Sequence, residues 1–213
     1  MKVKLQLLSL LCLSILFGCS SEPIGDNSLN ENYFRVTEYR MHDNSDLIQS
    51  KQLIEYCYSV NLMAGQNIFV GALGVTKSET DLIVTYATIP GWTIEETHIN
   101  VGDCNEGWAP TTRSGNPKIG KFDHNEPHSE EINRVVYHIS LEAIPEVSDL
   151  YCLAAHAVVI GPNGEETAWA GDINDGGGSM GRAAKNNFGY TVLEFGGGSW
   201  ATYIASYLST CIY

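Results

Sequence analysis

The sequence predicts an all-β protein, a two-sheet antiparallel β-sandwich or jelly roll with long loops. Runs of β-branched and aromatic residues alternate apolar and polar with period two, and clusters of Gly, Asn, Asp and Pro separate them. An Asn163-Gly164 dipeptide also sits between two such runs. Successive side chains of a strand point to opposite faces, so period two marks a strand with one buried face. Asn-Gly is the strongest short hairpin signal, because both residues tolerate the positive φ of a tight turn.

Each element follows from the same rule. Over residues 52–62, Ile54, Tyr56, Tyr58, Val60 and Leu62 share one face, opposite Glu55, Cys57, Ser59 and Asn61. Residues 68–76 and 81–88 form a hairpin across Lys77-Ser78-Glu79-Thr80, and in its second arm Leu82, Val84 and Tyr86 oppose Ile83, Thr85 and Ala87. Further strands are expected at 92–101, 134–141, 151–160, 166–170, 190–195 and 200–208. The one helical candidate, 45–54, has a poor apolar stripe and overlaps the strand that begins at Gln52. Two stretches, 102–132 and 171–189, are long and irregular; loops of that length are functional or disordered.

Composition narrows the function. The 213 residues suit one core of ordinary size. Twelve Lys and Arg stand against 25 Asp and Glu, a formal charge of -13. Phosphate binding needs clustered cations, so nucleic acid is excluded as a partner.

The N-terminus reads as an address. Lys2 and Lys4 precede an apolar run over 5–17, too short to span a bilayer and right for a signal-peptide core. The run ends in Leu16-Phe17-Gly18-Cys19, which resembles the lipobox of bacterial lipoproteins. That resemblance implies cleavage before Cys19 and a lipid on Cys19, with two or more acyl chains giving stable anchoring. Ser20 after the cysteine resembles lipoproteins sorted to a Gram-negative outer membrane, and the acidic 20–26 resembles export signals of surface-exposed ones. Residues 1–18 are then the signal, 19–32 a flexible tether, and 33–213 a single sandwich domain. Loss of Lys2 and Lys4 takes the side-chain charge to -15.

Four cysteines remain after Cys12 leaves with the signal and Cys19 is lipidated. An even number in an oxidising compartment reads as two disulfides with three possible connectivities. Cys57–Cys211 is favoured because first and last strands of a sandwich often lie side by side, which leaves Cys104–Cys152. No C-x-x-C occurs, which argues against a cysteine zinc or redox site.

Three segments resemble a β-rich domain of secreted and surface-anchored bacterial proteins. They are 62–71 continuing through 81–86; Gly91-Trp92 through Gly102; and Ala154-Ala155-His156-Ala157 with Glu166–Ala170 and Trp200-Ala201-Thr202-Tyr203. The stretch 115–122 fits the same pattern, and the likeness covers about residues 58–207. It implies an extracellular β-sandwich and implies no reaction.

Candidate chemistry is sparse. Alternation puts Glu96, His98 and Asn100 on one face, and His156 on a mostly apolar face with Cys152, Ala154 and Val158. If the two strands pair, Glu96, His98 and His156 converge as a general acid/base set or metal site; otherwise the histidines are buried packing residues. His124 and His128 would share a face on a helix, but Pro127 argues against one, so 123–131 reads as a solvated acidic loop. Asp172, Asn174 and Asp175 have the oxygen-rich look of a Ca²⁺ site without the EF-hand spacing, since residue 183 is Ala. Trp108, in the first long loop, is the best surface for a sugar to stack on; Trp92, Trp169 and Trp200 fall in strands and read as core. No Gly-x-Ser-x-Gly elbow or phosphate-binding glycine loop is present.

The sequence therefore points to a lipid-anchored outer-membrane protein whose sandwich is a non-enzymatic binding module for glycan or another extracellular ligand. A small hydrolase using Glu96 with His98 is the alternative, and a structural or adhesive envelope component is a third.

Overall fold

A computed structural model of the chain describes residues 34–40, 56–105, 107–144, 149–172, 184–185 and 189–211. The expected signal, lipidated Cys19, tether and helix at 45–54 lie outside them. The described chain is all-β. Its strands are β1 (Phe34–Tyr39), β2 (Tyr58–Ala64), β3 (Ile68–Lys77), β4 (Asp81–Thr88), β5 (Thr93–Gly102), β6 (His124–Pro127), β7 (Arg134–Ser140), β8 (Leu150–Gly161), β9 (Gly164–Ala170), β10 (Ala184–Lys185), β11 (Tyr190–Glu194) and β12 (Thr202–Tyr207). The expected hairpins form: β3 pairs with β4, and β8 with β9 across a turn in which Gly164 has φ +114°.

Every strand pairing is antiparallel. The hydrogen-bonded order is β1-β7-β4-β3-β2-β9-β8-β12-β11-β10, with β5 on β8 and β6 on β5. One edge of β8 is matched along most of its length by β5, from Ile160↔Thr93 to Cys152↔Gly102. Its other edge is divided: β9 takes 156–161 and β12 takes 150–153. The network forks there, and the two branches lie face to face as a sandwich.

Side chains crossing the interior hold the layers in register. Leu73, Leu82, Val84, Ile99, Ile139, Leu153 and Ile204 fill the space between the sheets. The Tyr86 hydroxyl on β4 donates to the carbonyls of His98 (3.1 Å) and His156 (3.2 Å), so one proton serves both β5 and β8. On β7 the Tyr137 hydroxyl meets that of Thr97 on β5. Thr97 also bonds His128 Nε2 at 2.6 Å, and His128 Nδ1 lies 2.7 Å from a Glu38 carboxylate oxygen. Since a carboxylate only accepts, the ring donates from Nδ1 to Glu38 and its Nε2 is left to bond the Thr97 hydroxyl.

This chain of bonds joins β1 and β6, where no backbone ladder links the two layers. His124 stacks on Phe34 at 4.2 Å, four residues before the His128–Glu38 pair on both strands. Residues 123–131 are not loop throughout: 124–127 form an edge strand, His124 and His128 turn inward, and Ser129, Glu130 and Glu131 stay exposed in a loop. The two imidazoles share a face after all, because positions four apart coincide in a strand as well as in a helix. Burial opposes ionisation of Glu38, but hydrogen bonds from His128 and Ser129 outweigh it and lower its pKa.

Both expected disulfides form, Cys57–Cys211 and Cys104–Cys152. The reason differs from the expectation. β2 and β12 are not sheet neighbours; their ends meet across the sandwich, where the Tyr58 and Tyr151 hydroxyls bond at 2.9 Å and Tyr190 packs on Tyr58. Closing loops of 154 and 48 residues limits the unfolded chain by about 5 and about 4 kcal/mol in the chain-entropy picture.

Tyr86→Phe removes the donor shared by two buried carbonyls. A loss of about 1–3 kcal/mol is expected in the urea unfolding free energy; an unchanged midpoint would show that this bridge contributes nothing.

Candidate functional site

The outer face of β5 and β8 is covered by chain rather than left to water. Alternation sends Thr97, Ile99, Leu153, Ala155 and Ala157 inward, and leaves Glu96, His98, Asn100, Cys152, Ala154 and His156 on the outside. Over that outer face lies a second apolar cluster of Ala109, Phe122, Ala154, Trp169, Phe195 and Ala201. The segment following β5 supplies its cover.

Three contacts seat that segment. Cys104 is bonded to Cys152 of β8. Gly102 passes close to Trp108: a Cβ there would sit 3.0 Å from the Trp108 Cβ, a tighter approach than most side chains make. The buried Asn100 amide donates to the Trp108 carbonyl (2.7 Å) and its oxygen accepts the Asp123 N–H (3.3 Å), tying down both ends of the cover. At the start of the segment, Asp103 accepts the backbone N–H (2.9 Å) and side-chain amide (2.6 Å) of Asn105, which hold its carboxyl low.

Between this cover and the β11–β12 connection lies a groove of about 310 Å³, at the small end of ligand sites. Three rings make its apolar wall: Trp108 lies 5.3 Å from Tyr203 and 6.0 Å from Phe195, and Phe195 lies 5.0 Å from Tyr203. Asn105, Thr111 and Glu194 add an amide, a hydroxyl and a carboxylate. None of the described lining residues is basic. Ser199 N–H on Asn116 Oδ1 (3.2 Å) holds the two loops together beside it. Burial pushes the Tyr203 phenol up, so its hydroxyl stays protonated as a donor.

His98 and His156 do meet, directly opposite each other in the β5–β8 ladder. His98 Nε2 is 3.2 Å from the Glu96 carboxylate, and the two Nδ1 atoms are 3.3 Å apart. Because the carboxylate accepts from Nε2–H, His98 Nδ1 accepts in turn from His156 Nδ1–H. That leaves His156 Nε2 as a bare buried acceptor with no partner, beside the Trp169 ring at 4.9 Å. Burial lowers the His98 pKa against the pull of Glu96, and burial with the neighbouring His98 takes His156 to about 3. Both rings are neutral at physiological pH. The three side chains bond to one another in series and do not converge on a common point.

Among the described residues no three His, Cys, Asp or Glu side chains are placed to hold a metal ion. Asp172 is half-buried just after β9, and Asn174 and Asp175 lie outside the described residues. Trp169 is buried in the second cluster with Trp200 against it, and Trp92 packs on the main core. Of the expected ligand residues, Trp108 lines the groove; Glu96, His98 and His156 do not. Phe195, Tyr203, Glu194, Asn105 and Thr111 were not anticipated, and no local pattern singles them out. Comparison with protein-family models, curated proteins and solved structures finds no match for this chain.

The buried neutral histidines set an acid limit. His124, which burial takes to about 4, and His156 both lie below the ordinary value of 6.5. Below pH 6.5 the unfolded chain therefore binds protons that the folded chain refuses. Stability is complete above that pH and falls below it by up to about 1.4 kcal/mol per pH unit for each histidine. Urea unfolding at pH 7, 6 and 5 should give that decline, with a slope shallower by about one proton in His156→Gln. Equal slopes would refute neutral burial of His156.

Proposed function

We propose that this is a lipid-anchored protein of the outer membrane, exposed at the cell surface, whose sandwich binds a neutral saccharide in the groove at Trp108. The observation that carries the reading is the groove itself, three aromatic rings beside an amide, two hydroxyls and a carboxylate. A sugar ring presents an apolar C–H face for an aromatic and a rim of hydroxyls for polar groups, and this wall matches both. A carboxylate without a basic partner among the described lining residues favours neutral or cationic ligands over anionic glycans.

The hydrolase alternative would place Glu96 and His98 at the reacting bond. His98 and His156 are 6% and 3% exposed and line neither the groove nor the cavity beside Phe34, which speaks for packing rather than catalysis. Anchoring rests on Leu16-Phe17-Gly18-Cys19 and the short apolar run before it.

On a glycan array the protein should retain neutral oligosaccharides, and Trp108→Ala should weaken them by about tenfold or more in protein that is still folded at the assay temperature. An array without hits, or an undiminished Trp108→Ala variant, would sink the saccharide reading. Cells fed an alkynyl fatty acid should label the chain, and Cys19→Ala should lose the label and leave the membrane fraction. A labelled Cys19→Ala protein would overturn the anchor.

A further inference from the structure

A second cavity, about 530 Å³, opens between the sheets where β7 ends and β1 begins. It shares no described lining residue with the groove. Phe34, Val101, Ile139 and Ile144 form its apolar wall, and the Phe34 ring is held by stacking on His124 and on Tyr137 at 5.3 Å. The polar lining is Asp123, His124 and Glu142, with no Lys or Arg among the described lining residues.

These polar groups are not spent on one another. Burial alone pushes the Asp123 carboxyl up, with no cation or donor offsetting it, and burial alone takes His124 to about 4. The described lining thus offers the carboxyl groups of Asp123 and Glu142 and the uncharged His124 imidazole, with no basic side chain among them. A fatty acid would meet repulsion at this lining, and a plain alcohol would leave the carboxylates unneutralised.

The geometry points to a binding site for an amphiphilic primary amine, its ammonium head between Asp123 and Glu142 and its short alkyl body against Phe34, Val101, Ile139 and Ile144. The head gains charge-assisted hydrogen bonds to the exposed carboxylates of Asp123 and Glu142 at the cavity mouth, and the tail removes apolar surface from water.

Calorimetric titration with octylammonium chloride, octan-1-ol and sodium octanoate tests it. Octylammonium should bind about tenfold or more tightly than octanol, and octanoate should give no binding heat. Asp123→Asn should weaken octylammonium about tenfold and leave octanol unchanged. Ala143→Trp, on the exposed turn at the cavity mouth, should block octylammonium while the melting temperature holds. Equal affinity for amine and alcohol, an indifferent Asp123→Asn, or binding that survives Ala143→Trp would each overturn the assignment.

Discussion

The structure depends on the divided edge of β8. A strand has two hydrogen-bonding edges, and β8 gives one of them to β5 and splits the other between β9 and β12. Two strands leaving the same edge cannot continue in one surface, so the sheet forks and its branches fold over each other. β8 is then covered on both faces, which explains its run Leu-Tyr-Cys-Leu-Ala-Ala-His-Ala-Val-Val-Ile and the unbroken burial from Tyr151 to Ala157. Its alanines let a layer approach closely on either side. Tyr86 uses that proximity to reach two main-chain carbonyls with one hydroxyl.

The same strand locates the groove. Cys152 and Ala154 on its outer face receive the cover that begins at Cys104, and Asn100 on β5 fixes that cover at Trp108 and Asp123. A loop positioned by a covalent bond, a buried amide and a glycine contact is a preorganised wall, which lowers the ordering cost of holding a ligand. His98 and His156 lie under the same cover. Their arrangement, neutral and bonded in series from a half-exposed Glu96, fills the outer face with polar groups at the cost of one unpaired acceptor.

Charge ties the two cavities together. The chain carries 25 acidic against 12 basic residues, and burial keeps His98, His124 and His156 uncharged at neutral pH. Neither cavity has a basic residue in its described lining. Both are therefore biased toward neutral or cationic ligands. The open side between the layers is closed by side chains, through Phe34 on His124 and Glu38 on His128, and the second cavity is what that closure leaves unfilled.

Most strands were legible because alternation is a property of one segment read alone. Leu82, Val84 and Tyr86 are buried as their period required. β1 and β6 escaped notice because each turns charged or polar groups inward: Glu38 on one and His124 and Glu126 on the other break the apolar pattern that marks a buried face. The even cysteine count foretold two disulfides, but the meeting of β2 and β12 across the layers rather than within a sheet came from the fork at β8. Trp108 could be singled out by its loop. Its partners could not, since Phe195 and Tyr203 stand near it only after β12 has joined β8. By itself the sequence determined the strands, their buried faces, the acidity and the paired cysteines, all set by local spacing and composition. Tertiary structure alone decided which edges pair and which loop lies over which face, because a site built from residues about 90 positions apart exists only once two separate strands share β8.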